Sequence, residues 1–186
     1  MITWTVHDDL SASHHAAGRP LFRGWLLLAL GLECKVNEQN EQNRKAFLDM
    51  IAVSEGTKGR GEDGYNVLVG GGFFYGYEDH PRRRIKINLA LYSTAAGRYQ
   101  ILARFFDAYK KLLDLPDFSP ASQDAIAMQM ARERKALEDI DAGRIEAAIH
   151  KCRRTWASFP GAGYGQHENE MADLVAAYVE AGGVVA

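Results

Sequence analysis

The chain has 186 residues, 47% of them hydrophobic, and a formal net charge of −2. That content suits one compact domain with a real core and at most an appendage. The near-neutral balance argues against a protein held on nucleic acid or a membrane surface by bulk electrostatics, although a local basic cleft could hide within the total. The two cysteines, Cys34 and Cys152, are too few for a disulfide framework and lack zinc-type spacing, so they read as free thiols.

Residues 1–42 read as an N-terminal extension. "MITWTVHDDLSASHHAAGRPLFR" has no sustained period, and the adjacent His14 and His15 have no carboxylate or cysteine partners at ligand spacing. "GWLLLALGL", residues 24–32, is purely apolar but far short of the roughly 20 residues a spanning helix needs, so no stable membrane span is expected. Its length matches a signal-peptide core, yet a long polar stretch precedes it and no small-x-small cleavage site follows. "VNEQNEQN", residues 36–43, has no apolar surface to bury and reads as a polar linker.

An orderly domain is expected over 43–186. "NRKAFLDMIAVSEG" places Phe47, Leu48, Met50 and Ile51 largely on one side of a helix, and Gly56 is suited to the left-handed position just past its end. Glu55 therefore falls at the C-terminal turn, where carbonyl dipoles disfavour a carboxylate by about 0.3–1 kcal/mol. Stability alone would favour Lys or Arg there. An upward pKa shift follows, which is the direction a general acid needs near neutral pH. A plain solvated helix-end residue is the other reading of the same position.

"YNVLVGG" from Tyr65 and "RRRIKINLAL" from Arg82 contain short alternating stretches, so a small irregular β region is expected in the middle of the chain. Tyr75, Tyr77, Asp79 and His80 in the turn region between them could line a cleft wall, and Arg82 to Arg84 read as a solvated edge. "STAAGRYQILARFFDAYKKLLDL" follows the helical i, i+3, i+4 rule from about Arg98 to Leu115, with Arg98, Tyr99 and Gln100 in its first turn. Ser119 and Pro120 open the next helix as N-cap and first helical residue. Further on, Ile145, Ala148, Ile149 and Cys152 share a helical face. "PGAGYGQHENE" is a glycine-rich loop carrying Tyr164, Gln166 and His167, and "EMADLVAAYVEAGG" is an amphipathic helix stopped by Gly182.

Five stretches in order, "NRKAFLDMIAVSEGT", "GGFFYGYEDHPR", "STAAGRYQ", "DFSPASQDAIAMQ" and "WASFPGAGYGQ", resemble the lambda-type phage endolysins over roughly residues 43 to 183. The resemblance implies an α+β lysozyme-like fold, a mainly helical lobe with a small β region flanking a substrate cleft. It also implies that Glu55, in "SEGT", is the catalytic acid of a peptidoglycan-cleaving enzyme, with the glycan strands of the bacterial wall as its partner and no nucleic acid. By analogy with related transglycosylases, Ser54, Tyr99, Gln100 and Tyr164 would orient or polarise the sugars.

The family is understood as lytic transglycosylases, in which one glutamate acts as acid and then base while the muramic acid 6-hydroxyl attacks the anomeric carbon. No metal and no organic cofactor is implied, and a monomer is expected. The residues themselves also allow a water-using muramidase, with Glu62, Asp63, Glu78 or Asp79 as a second carboxylate, or an inactive wall-binding module. Two departures stand out: Val53 replaces a tryptophan two residues before the glutamate, and Phe105 and Phe106 replace a tryptophan pair. Family members act from the host cytoplasm on the periplasmic wall at lysis, and residues 24–32 keep signal-assisted export open for this chain.

Overall fold

A computed structural model of the chain describes residues 21–186 apart from 89, 90 and 166, and for residues 21–34 it gives only their helical state. The expectations for residues 1–20, with His14 and His15, and for the side chains of the apolar run and Cys34 lie outside the described residues. The chain divides into two units, Met1–Lys35 and Val36–Ala186. Apart from the start of helix α1, all that follows concerns the second.

Helix α1, Leu21–Ser54, includes the segment 36–43 that reads as a linker in the sequence. Glu and Gln are good helix formers, and the polar tips in this segment find partners instead of water. Gln39 Nε2 donates to Asn43 Oδ1 one turn on, Gln42 Nε2 donates to the Ala181 carbonyl, and Asn43 Nδ2 donates to the Asp141 carbonyl. Asn43 is only 2% exposed and also accepts the Val184 N–H. Hydrogen bonding fixes this part of the helix; from Ala46 onward apolar burial takes over, with Phe47, Met50 and Ile51 fully enclosed.

The β region is sparse. Strands β1, Ile85–Lys86, and β2, Tyr92–Ser93, pair antiparallel with Ile85 opposite Ser93. Isolated bridges add Val67 to Phe73, Leu68 to Ala96 and Ala96 to Ile101. The helices that follow are α2, Ala103–Leu112; α3, Pro120–Glu133; α4, Leu137–Asp141; α5, Ile145–Cys152; and α6, Met171–Glu180. Ile126, Ala127 and Ala131 of α3, Ile149 of α5 and Tyr178 of α6 join Phe47 and Ile51 in one core. Among the described residues, no helix is long and apolar enough to cross a membrane.

The helix expected over 98–115 is shorter at both ends. Residues 96–101 form a tight turn closed by reciprocal Ala96 and Ile101 backbone bonds, and Gln100 takes a positive φ of 48°. The Arg98 guanidinium, 2% exposed, is drawn inward onto Asp49 and Asp63, which no helical first turn would allow. Gln123 of α3 secures the turn: its Oε1 accepts the Arg98 N–H at 2.9 Å while its Nε2 donates to the Tyr65 and Phe118 carbonyls. A Cβ on Gly97 would lie 2.2 Å from that Oε1, so only glycine fits beside it.

Ser119 does precede α3 with Pro120 at its first position, but its hydroxyl does not cap the helix. Asp117 instead fixes the turn just before the helix, accepting the Ser119 N–H at 2.9 Å and the Ser122 hydroxyl at 3.0 Å. His80, 2% exposed, is a core residue and no part of a cleft wall. Its Nδ1 accepts the Arg82 N–H, so Nε2 carries the proton and donates to the Ile101 carbonyl, and its ring packs 4.7 Å from Phe118. Burial holds its pKa below the usual histidine value, so it stays neutral.

Candidate active site

Helix α1 ends in a glycine-stopped turn. The Gly56 N–H donates to the Val53 carbonyl and the Thr57 N–H to the Ala52 carbonyl, with Gly56 at φ +65°. This is the two-bond closure that a left-handed residue after a helix permits. Glu55, the residue before that glycine, still donates its N–H to Ile51. Its backbone is therefore held by the last turn of a helix whose other face is core. The Thr57 hydroxyl bonds the Arg98 carbonyl at 2.6 Å, fastening the chain after Glu55 to the turn at 96–101.

The Glu55 side chain lies in a cleft of about 820 Å3. Its lining includes residues 91–95 and 99–105, Tyr109 of α2, Met130, Glu133 and Arg134 at the end of α3, and residues 154–157 after α5. Among the described residues no cationic side chain bonds the Glu55 carboxyl; its hydrogen-bond partner is the Ser158 hydroxyl, which donates to Oε1 at 2.6 Å. Burial pushes the Glu55 pKa up to about 7, and the Ser158 bond opposes that rise without cancelling it. The direction matches the sequence expectation. Desolvation causes it, a larger effect than the helix dipole that motivated it.

Behind Ser158 stands a short directed chain of hydrogen bonds. Asn169 Nδ2 donates to Ser54 Oγ at 3.0 Å and to the Ser158 carbonyl at 2.9 Å, and Ser54 Oγ lies 2.7 Å from Ser158 Oγ. An amide N–H can only donate, so the Ser54 proton turns toward Ser158 and the Ser158 proton toward Glu55. Oε1 thus takes a bond from the protein side, and the proton of the neutral acid belongs on Oε2.

Of the other residues singled out by the sequence, Tyr99 and Gln100 line the cleft with Glu55. The Tyr99 hydroxyl donates to Asp124 at 2.6 Å, and the Gln100 amide donates to the Gly97 carbonyl at 2.9 Å. Ser54 is 9% exposed and sits behind the glutamate within the hydrogen-bonded chain. Tyr164 is 54% exposed, bonds the Arg154 carbonyl at 3.0 Å and is absent from the cleft lining. Gln166 lies outside the described residues. Tyr75 is 86% exposed and, with Tyr77, Asp79 and His80, is absent from the cleft lining.

Sequence reasoning missed Ser158 and Asn169. Ser158 lies inside the quoted "WASFPGAGYGQ", whose shared order was the available signal; nothing local marks Asn169, which reaches Ser54 across 115 positions. The four carboxylates weighed as a second acid, Glu62, Asp63, Glu78 and Asp79, do not line the cleft; Glu133 does. Glu133 receives the Tyr109 hydroxyl on one oxygen and the Gln129 amide on the other. No group of three or more His, Cys, Asp or Glu among the described residues is arranged to hold a metal ion.

The Endolysin family model matches residues 45–185, a span that holds every residue of this site. The chain belongs to the endolysin family. It is 56% identical over 152 residues to the endolysin of Escherichia phage lambda, covering 80% of this chain and 96% of that one. It is 52% identical over 158 residues to the endolysin of Escherichia phage P2, covering 78% and 96%. A solved structure of bacteriophage lambda lysozyme complexed with a chitohexasaccharide superposes with a TM-score of 0.77 at 54% identity, over 78% of this chain and 97% of that one. A second solved lambda lysozyme gives a TM-score of 0.73 at 53% identity. The endolysin fold is thus the lysozyme-like α+β arrangement expected from the sequence, with a helical majority and a two-stranded sheet.

Proposed function

We propose that the chain cleaves the β-1,4 MurNAc–GlcNAc bond of peptidoglycan as a lytic transglycosylase, releasing 1,6-anhydro-muramic acid and so helping to lyse a bacterial host. The observation that carries this reading is a single carboxyl in the cleft, Glu55, that titrates near neutral pH with no counter-charge beside it among the described residues. Glu55, with a pKa of about 7, can keep its proton at neutral pH, whereas the other cleft carboxyl, Glu133, has both oxygens engaged by Tyr109 and Gln129. Two-carboxylate hydrolases need a second free group to act as nucleophile or to position water. A substrate that attacks its own anomeric carbon does not, because an intramolecular hydroxyl comes with a high effective concentration.

Each step then has a residue. Oε2 of Glu55 delivers its proton to the bridging oxygen as the C1–O bond breaks, and the leaving GlcNAc departs with a 4-hydroxyl. The resulting carboxylate is stabilised by the Ser158 hydroxyl, a charge-assisted bond stronger than its neutral counterpart. Glu55 then removes the proton of the muramic acid 6-hydroxyl as its oxygen closes onto C1, which restores the neutral acid. Tyr99 and Gln100 supply the fixed wall against which the sugar is held, their own polar atoms being tied to Asp124 and Gly97. The bound chitohexasaccharide of the lambda lysozyme supports a glycan as occupant of this cleft. A monomer suffices, since the catalytic acid and its supports all come from one chain, and action at the cell wall during lysis follows from the substrate.

Mass spectrometry of digested sacculi tests the proposal. Anhydro-muramic ends with wild type, and none with Glu55→Gln, are expected. Reducing muramic acid ends would replace the transglycosylase with a hydrolytic muramidase, and an unchanged Glu55→Gln digest would remove the enzyme reading altogether.

A further inference from the structure

Two groups of arginines stand apart among the described residues, while Arg60, Arg83, Arg132 and Arg153 neither pair with a carboxylate nor line the cleft. Arg44, Arg82, Arg98 and Arg144 are paired with carboxylates, respectively Asp141, Asp79 with Asp107, Asp49 with Asp63, and Asp139. None of them lines the cleft. Arg84, Arg104, Arg134 and Arg154 do line it, all are exposed, and none forms an ion pair among the described residues. They arrive from four places: the residue before β1, the first turn of α2, the end of α3 and the segment after α5.

Two of these guanidiniums lie over an aromatic ring. Arg84 lies 4.4 Å over the Tyr92 ring and Arg104 lies 4.9 Å over Phe105, while Arg134 Nε donates to Thr155 Oγ1 at 3.0 Å. A planar, positioned guanidinium retains its remaining donors for a bidentate carboxylate. Among the described residues, the carboxyls that line the cleft beside these four charges are Glu133 and Glu55, the latter carrying its proton much of the time at neutral pH. Clefts with low-dielectric walls concentrate such a field. A neutral polymer of N-acetylglucosamine gains nothing from it.

Resting on the peptidoglycan reading above, we infer that these cleft arginines form a carboxylate-binding rim that reads the peptide stems hanging from muramic acid, so that stem-bearing strands are preferred over uncharged ones. The muramic lactyl group offers the same chemistry once its peptide has been removed. Substrate preparation separates the two sources.

The test compares kcat/KM on three preparations of glycan strand: peptide-bearing, peptide-bearing with the carboxyls converted to neutral amides, and amidase-stripped with only lactyl carboxylates left. Wild type should prefer the first over the second by about tenfold at low salt, and 0.5 M NaCl should erase most of that preference, as screening at roughly 4–5 Å demands. R104Q/R154Q should bring the ratio close to one, and R104K/R154K should recover part of it. An unchanged ratio in R104Q/R154Q overturns the inference, and so does a preference of wild type for amidase-stripped strands as strong as that for peptide-bearing ones. Failure of all three preparations to be cleaved would sink the enzyme reading, a result distinct from loss of preference.

Discussion

Two polar clusters flank the end of α1 and handle burial in opposite ways. On one side Arg98, 2% exposed, keeps its charge because Asp49 and Asp63 neutralise it, with Lys58 bridging both carboxylates at 2.8 and 3.5 Å. On the other, Glu55 has only hydroxyl support and, with a pKa of about 7, keeps a large share of its protons at neutral pH. The first cluster is a fastener that joins the turn 96–101 to the loop 57–63. The second is a proton reservoir. The difference is the presence or absence of a counter-charge: burial penalises any ion, and only the group left without a partner can use a proton to escape.

The largest test of that contrast removes the reservoir. Glu55→Gln should lower kcat on sacculi by about 10²–10⁴-fold, the range typical of a lost general acid, with the fold retained by circular dichroism. Next comes the fastener. Arg98→Met should cost about 3 kcal/mol in urea titration, toward the lower end for breaking a buried pair, because Lys58 remains beside both exposed-edge aspartates. If Arg98→Met were as stable as wild type and Glu55→Gln strongly destabilised, the assigned roles would be reversed.

Stability against pH sharpens the same contrast. The folded pKa of Glu55 is raised from 4.5 to about 7, so the unfolded chain ionises this group first. Below pH 4.5 both states hold the proton and the group costs nothing; between 4.5 and 7 its burial progressively destabilises the fold, and above 7 the full cost remains. Glu55→Gln should therefore be more stable than wild type by about 1–3 kcal/mol at pH 8, a gap that closes below pH 4.5. The smallest effect is expected for Ser158→Ala. Loss of a donor to the carboxylate moves the alkaline limb of the kcat/KM profile further up in pH and lowers kcat by roughly tenfold as the carboxyl loses its fixed orientation. A fall in activity at every pH with no movement of that limb would reduce Ser158 to a packing residue.

The helical parts of this fold were legible because their information is local. The run from Phe47 to Ile51 and Gly56 declare α1 and its end, and Ile145, Ala148 and Ile149 declare α5. Position 55 stood out for the same reason, a glutamate before a helix-stopping glycine being locally unfavourable, but the burial that raises its pKa comes from residues beyond that window. The failures share a different cause. Residues 36–43 look like a linker until the carbonyls of Asp141 and Ala181 are seen to take their amides. The start of α2 looks five residues earlier than it is until Arg98 is seen turned inward onto Asp49. Ser54 looked like a group facing sugar, and only the arrival of Ser158 and Asn169 from over 100 residues away shows what occupies its hydroxyl. Each depends on a partner distant in sequence, which no window of the chain contains.

Gln123 spends its whole side-chain amide on three separated stretches of backbone, at Tyr65, Arg98 and Phe118, and does so without facing the cleft. Anyone redesigning residues 98–101 to accept a different polymer inherits that mooring. A substitution at this glutamine would register in an activity screen as though it touched substrate, when its real effect would be to set the wall of the groove adrift.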